Sequence, residues 1–197
     1  MEKGLAIITG ADGGMGQVIT AALAKEGYPV IMACLDPEKA ASLCNRIQQE
    51  TGNTQIEVRR IDLASLSSVN NFTGQLLKEG RPVSRLMNNA GILTTPVRKT
   101  EDGLETIVSV NYVAPYMLTR QLLPLMQPGC RIVNTVSCTY AIGRIEPDFF
   151  EKGRNGRFFR IPVYSNTKLA LLLFTQELAE RLQNQGITIN ASDPGIV

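Results

Sequence analysis

The chain contains no histidine. That absence excludes a histidine-dependent catalytic triad and a histidine-based metal site, so proton transfer must use tyrosine, lysine or carboxylates. Cysteine is scarce: Cys34, Cys44, Cys130 and Cys138 form no C-x-x-C spacing, and they read as free structural thiols of a reducing compartment, with no metal site among them. Neither charge sign is in excess, since 20 Lys and Arg against 18 Asp and Glu give a net charge of +2, which offers nucleic acid no basic surface. No apolar run is long enough to cross a bilayer; the strongest helical one covers only residues 169–174. The start, Met1-Glu-Lys-Gly-Leu, carries no signal-peptide pattern. A cytoplasmic protein without membrane or nucleic-acid contacts is therefore expected. Internal repeats and low-complexity linkers are absent too.

What is present is a chain of 197 residues, 44% of them hydrophobic, which is enough for one well-buried α/β domain over 1–197. Apolar runs rich in β-formers at 5–9, 29–34, 55–61, 84–87, 130–136 and 186–191 alternate with helical patterns near 14–24, 37–51, 65–79, 103–127 and 163–185. Strand–helix alternation of this kind requires right-handed βαβ crossovers. It predicts a doubly wound parallel sheet with helices on both faces and a ligand site at the carboxyl ends of the strands. The least regular stretch is 138–162, where Gly143-Arg-Ile-Glu-Pro, Phe149-Phe150 and Arg154-Asn-Gly-Arg157-Phe-Phe-Arg160 mix charge, aromatics and turn residues. It reads as an inserted surface loop near the site rather than as a nucleic-acid contact.

Two local patterns carry chemistry. The strand Leu5-Ala-Ile-Ile-Thr9 leads into Gly10-Ala-Asp12-Gly13-Gly14-Met15-Gly16 and then a helix. Glycines there allow a tight turn and close approach of backbone to a pyrophosphate, while the free amides and dipole of the helix start attract its charge. The spacing departs from G-x-G-x-x-G, and the alternative is an ordinary tight βα turn. Further on, Tyr164-Ser-Asn-Thr-Lys168 puts a phenol and an ammonium four residues apart on one helix face. A lysine near a tyrosine favours the phenolate, letting a group of ordinary pKa about 10 exchange its proton near neutrality.

Four features fall in order: the turn from Thr9 to Gly16, Asn88-Asn89-Ala90-Gly91 after a strand, Ser137 closing Arg131-Ile-Val-Asn-Thr-Val-Ser137, and Tyr164-x-x-x-Lys168. On these the chain resembles the short-chain dehydrogenase/reductase family over nearly its whole length. Within that family it is most similar to the retinol-dehydrogenase-like branch, through the long Ser137–Tyr164 separation, Gly143-Arg-Ile145, and Leu169-Ala170 with Phe174-Thr-Gln-Glu-Leu178 after the lysine. The resemblance implies a Rossmann-type fold and an NAD(P)-dependent oxidoreductase acting on a carbonyl/alcohol substrate, lipophilic given the branch. It also implies that Tyr164 is the acid or base, that Lys168 lowers the phenol pKa and bonds the nicotinamide ribose, and that Ser137 binds the carbonyl oxygen. Asn111 matches the family asparagine that holds a water linking the lysine to solvent. Asn89, Ala90 and Gly91 would line the cofactor, Asp62 with Leu63 would read the adenine ring, and Pro194, Gly195 and Ile196 would contact the nicotinamide. Pairing of the helices near 103–127 and 163–185 would make a homodimer, unless 138–162 covers that surface.

Cofactor choice between NAD and NADP stays open. Branch relatives usually carry arginine where this chain has Leu35, and NAD-preferring relatives place aspartate at the position of Cys34. Asp36 stands at the distance expected of a ribose-binding acid, but precedes Pro37 and can instead cap the next helix. Asp12 and Gly13 add no cation. Family members continue beyond the Pro194-Gly195 turn into a substrate-covering segment and a last strand, so the natural chain is expected to extend past Val197. The competing readings are a non-catalytic nicotinamide-sensing module, which would tend to lose Tyr164 or Lys168, and an epimerase or dehydratase of the family's extended branch.

Overall fold

The computed structural model describes residues 3–94, 98–150 and 157–195, with the backbone alone for 157–159. Strands and helices alternate as β1 (Leu5–Thr9), α1 (Gly14–Lys25), β2 (Val30–Cys34), α2 (Pro37–Thr51), β3 (Ile56–Arg60), α3 (Leu66–Glu79) and β4 (Val83–Asn88). A broken helix follows: α4 (Thr106–Val108), a π-helical turn at Ser109–Val113 and α5 (Ala114–Leu122). Then come β5 (Met126–Thr135), α6 (Arg157–Leu182) and β6 (Thr188–Ser192). All strand pairings are parallel, in the order β3-β2-β1-β4-β5-β6. This is the doubly wound dinucleotide-fold order, which reverses between β1 and β4.

The two faces of the sheet are read from alternate residues of one strand. Leu5 and Ile7 of β1 face a cluster with Phe72 and Leu76 of α3, Leu118 of α5 and Leu178 of α6. Ala6 and Ile8 face the other way, onto Ala24 of α1 and Ala40 and Ile47 of α2. Because both faces are covered, β1 and β2 are buried throughout, which is why they are continuous apolar runs rather than alternating ones. Helix starts follow local chemistry: Asp36 caps α2 by accepting from Lys39 N–H at 3.3 Å, with Pro37 in its first turn, and Ser65 caps α3 by accepting from Ser68 N–H at 3.3 Å.

Three boundaries differ from expectation. The helix expected over 103–127 starts at Thr106 and gives way to a 3₁₀ turn at Leu123–Leu125, where Pro124 cannot donate to a continuing α-ladder. β5 accordingly begins at Met126 rather than Cys130. The expected surface loop 138–162 is only partly that: residues 157–162 belong to α6, and Phe149 and Arg160 are buried. Phe149 lies edge-on to Tyr112 with ring centroids 5.7 Å apart, and Arg160 pairs with Glu105, 55 residues away in sequence. No sequence window could show that neutralisation. The 151–156 part of this loop lies outside the described residues.

Candidate active site

The strand order reverses where the carboxyl ends of β1 and β4 meet, the place where a doubly wound sheet forms its ligand crevice. Thr9 ends β1, and its Oγ1 accepts from the backbone N–H groups of Asn89 and Ala90, each at 3.1 Å. The Asn89 amide donates to the carbonyls of Thr9 at 3.0 Å and Gly10 at 3.3 Å. Thr9 and Asn89 therefore stitch the two strand ends together from inside. Gly10 turns the chain with φ +60° against Ala90, a conformation that disfavours a side chain. α1 then starts at Gly14 with no side-chain cap on its first amides, unlike α2 and α3, and with no acidic residue in its first turn. Among the described residues no side chain caps its first amides, and free amides at a helix start are the chemistry of an anion site.

At the other end of the crevice, α6 presents Tyr164 and Lys168 one turn apart. Lys168 is 2% exposed; its Nζ donates to the Thr135 carbonyl at 2.7 Å and lies 5.4 Å from the Tyr164 ring centroid. Burial pushes its pKa down to about 8. A Cβ on Gly91 would stand 3.3 Å from that ammonium, so the β4 loop passes directly over it. The Ser137 side chain lowers the pKa of the Tyr164 phenol, and it also caps the short turn Cys138–Ile142 by accepting from Thr139 N–H at 3.4 Å. Asn111, in the π-helical turn, is buried. Its Oδ1 accepts from Ile92 N–H at 2.8 Å and its amide donates to the Ile92 carbonyl at 2.9 Å, which anchors the loop after Gly91.

One electrostatic expectation is corrected. The phenol of Tyr164 lies above its ordinary pKa, because burial outweighs the lowering influence of Ser137, with Asp193 and Cys138 adding to the rise. Lys168 does not hold it low here: its ammonium is directed at the Thr135 carbonyl, and its own charge is weakened by desolvation.

The remaining sequence-predicted residues lie along the same edge, since each follows a parallel strand. Asp12, Gly13 and Gly14 are exposed on the glycine turn, Met15 is half-buried and Gly16 is buried. Leu35 is exposed, and the Asp36 carboxylate caps α2 and pairs with Lys39 at 3.0 Å, so the capping alternative holds for Asp36. The Asp62 carboxylate accepts from Ala64 N–H at 2.9 Å, while Ser65 caps α3. Leu63 is buried and its carbonyl accepts from Ser109 Oγ at 2.9 Å. Pro194 and Gly195 are exposed after β6, with Gly195 N–H donating to Asp193 Oδ1 at 3.0 Å; Ile196 lies outside the described residues. Sequence reasoning missed the Thr135 carbonyl, which carries no residue-type signal, and the Asp193 charge, which the Asp-Pro-Gly turn did contain.

The four thiols divide. Burial raises those of Cys44, Cys34 (to about 12, with help from the adjacent Asp12) and Cys130 (to about 11), whereas Cys138 is exposed and departs from the expected structural role. Treatment of the native protein with iodoacetamide at pH 8 is expected to alkylate Cys138 alone, as checked by peptide mass mapping; equal labelling of Cys34 would contradict the packing around β2.

Comparison with known proteins agrees with this geometry. The short chain dehydrogenase family model matches residues 4–147. Retinol dehydrogenase 13 of Homo sapiens is 37% identical over 192 residues, covering 96% of this chain and 58% of that protein. Retinol dehydrogenase 12 of Mus musculus is 38% identical over 193 residues, covering 97% of this chain and 60% of its own. The chain thus spans about three-fifths of the length of these curated relatives. A crystal structure of an uncharacterised protein from Mycobacterium paratuberculosis superposes with a TM-score of 0.83 at 36% identity, over 98% of this chain and 69% of that one. A short-chain dehydrogenase from Sphingobium yanoikuyae shares the fold, with a TM-score of 0.78 at 23% identity over 98% of this chain and 71% of that one. Sheet order, glycine turn and the Tyr164–Lys168 helix, together with these matches, place the chain in the short-chain dehydrogenase family, on its retinol-dehydrogenase-like side.

Proposed function

We propose that this chain is the dinucleotide-binding catalytic portion of an NAD(P)-dependent oxidoreductase acting on a small lipophilic carbonyl/alcohol substrate. The observation that carries the reading is the Tyr164 ring 5.4 Å from the ammonium of the buried Lys168, one helical turn on, together with an α1 that has no side-chain cap. A dinucleotide suits the crevice on this chain's own terms. The first amides of α1 have no side-chain cap, Gly14 has no atom within 4 Å of where a Cβ would stand, and Gly16 is closed to any side chain. Retinol dehydrogenases among the relatives motivate the lipophilic substrate class.

When bound, the nicotinamide ring gives or accepts a hydride. This chain's residues do the rest: Gly10 to Gly16 hold the pyrophosphate, Asp62 and Leu63 flank the adenine, and Asn89 to Gly91 with Pro194 and Gly195 line the cofactor. Tyr164 exchanges the proton of the alcohol oxygen, and Ser137 donates to that oxygen as charge develops on it. Lys168 bonds the nicotinamide ribose, while Asn111 supports the proton path from Lys168 to solvent. Leu35 and Asp36 flank the adenosine ribose.

Calorimetric titration of the protein, with its natural carboxyl-terminal residues, against NADH and NADPH tests this. Saturable binding of at least one is the expected result and fixes the cofactor. Binding of neither by a folded sample makes the glycine turn purely structural and removes the oxidoreductase reading. Binding without turnover of any aliphatic, aromatic or retinoid carbonyl would favour a nicotinamide-sensing module instead.

A further inference from the structure

We propose that the buried Glu105–Arg160 ion pair positions Tyr164, a role that deepens the oxidoreductase reading and rests on it. Glu105 and Arg160 are 2% and 1% exposed, and Arg160 Nη1 donates to Glu105 Oε1. The other carboxylate oxygen, Oε2, accepts from Ile107 N–H at 2.7 Å and Val108 N–H at 3.1 Å, capping α4. One carboxylate thus ties together two helices. α4 runs directly into the π-helical turn that carries Asn111, and Arg160 stands four residues before Tyr164 and eight before Lys168, on the same face of α6.

The first turn of α6 needs such a tie. Pro162 lies inside the helix and has no N–H, so the ladder bond it would give to residue 158 is missing, just ahead of Tyr164. Downstream the helix is held by Asn166 Oδ1, which accepts from Arg144 N–H at 2.7 Å, and by Lys168 on Thr135. Upstream of Tyr164, among the described residues, the one polar cross-link is Arg160 on Glu105, set beside an apolar cluster of Ile107, Val108, Phe149 and Val163 against which Tyr164 packs.

The pair does not look like a stability device. A buried ion pair gives back in attraction roughly what its desolvation costs, and apolar replacements of similar volume are often as stable. Here Arg160 Nε and Nη2 are buried without partners among the described residues, an added cost. What a bonded guanidinium–carboxylate contact supplies that apolar packing does not is one fixed direction, and it fixes the turn from which the phenol projects. Glu105 and Arg160 are therefore positioning residues; neither is assigned contact with substrate or cofactor.

The test uses the protein with its natural carboxyl terminus and two variants, Glu105→Gln and the apolar double replacement Glu105→Leu with Arg160→Met, the second guarding against failure of the first to fold. The expected result is a fall in kcat of about 10- to 100-fold per titrated dinucleotide site, with dinucleotide Kd unchanged and faster amide hydrogen exchange confined to 160–168. Unchanged kcat per site with unchanged exchange there, even if the melting temperature drops, would reduce the pair to a structural contact and overturn the proposal. Parallel loss of dinucleotide affinity would also overturn it, by showing a global defect. Absence of turnover in the unaltered protein would instead sink the oxidoreductase reading, and the exchange data from the same samples would still decide whether the pair holds α6.

Discussion

Replacing Tyr164 by phenylalanine is expected to lower turnover by about two to four orders of magnitude while leaving dinucleotide affinity intact. The change removes one oxygen and no packing surface: the ring keeps its place beside Ile107, Val163 and Ala170. What is lost is the hydroxyl whose proton the reaction exchanges. Because burial holds the resting phenol above its ordinary pKa, it is a fully protonated donor at neutral pH. It is thus set as an acid for carbonyl reduction, and alcohol oxidation is expected to need a higher pH. Steady-state rates in both directions, with Kd from calorimetry, check this. Turnover unchanged with every accepted substrate would refute the role of the phenol, and equal loss of cofactor binding would make Tyr164 a binding residue.

The second large effect is expected at Gly16, with Gly14 as its control. A Cβ on Gly16 would stand 2.1 Å from the Gly10 carbonyl oxygen and 2.7 Å from Ala11 Cα, both backbone atoms that cannot swing aside. Gly16→Ala must push α1 away from the turn that leads into it. Overpacking of this kind costs about 1–3 kcal/mol, which for a chain of this size is a fall in Tm of up to about 12 °C. Dinucleotide affinity should fall with it, since the free amides of α1 are displaced from the crevice. A Cβ on Gly14 meets nothing within 4 Å, so Gly14→Ala should leave Tm unchanged or raise it slightly, as alanine favours the helix. Thermal unfolding of the two variants decides the matter; equal Tm values would mean that the tight approach of Gly16 to Gly10 carries no structural weight.

Much of this site was legible in the sequence because its parts are local. The β1 run, the glycine turn and the start of α1 are contiguous, and Tyr164 and Lys168 share a helix face by spacing alone. Alternation of apolar runs with helical patterns fixed a parallel sheet, since crossovers between parallel strands need helices. The parallel arrangement in turn carries Asp62, Asn89, Ser137 and Pro194 to one edge, because each follows a strand. Element ends were less legible where a proline or a buried charge intervened, as at Pro124 and Arg160.

Tertiary structure alone decided the electrostatics and the supports. That the Lys168 ammonium is held by the Thr135 carbonyl, and that burial lifts the Tyr164 phenol above its ordinary pKa and lowers the Lys168 pKa to about 8, depend on desolvation, which no residue string contains. That Arg160 is buried rather than part of a solvated loop depends on Glu105, brought to it across 55 residues by the packing of α4 on α6. Periodicity encodes which way a side chain points along its own element; its proton affinity and its distant partner exist only once the elements have closed over one another and driven the water out.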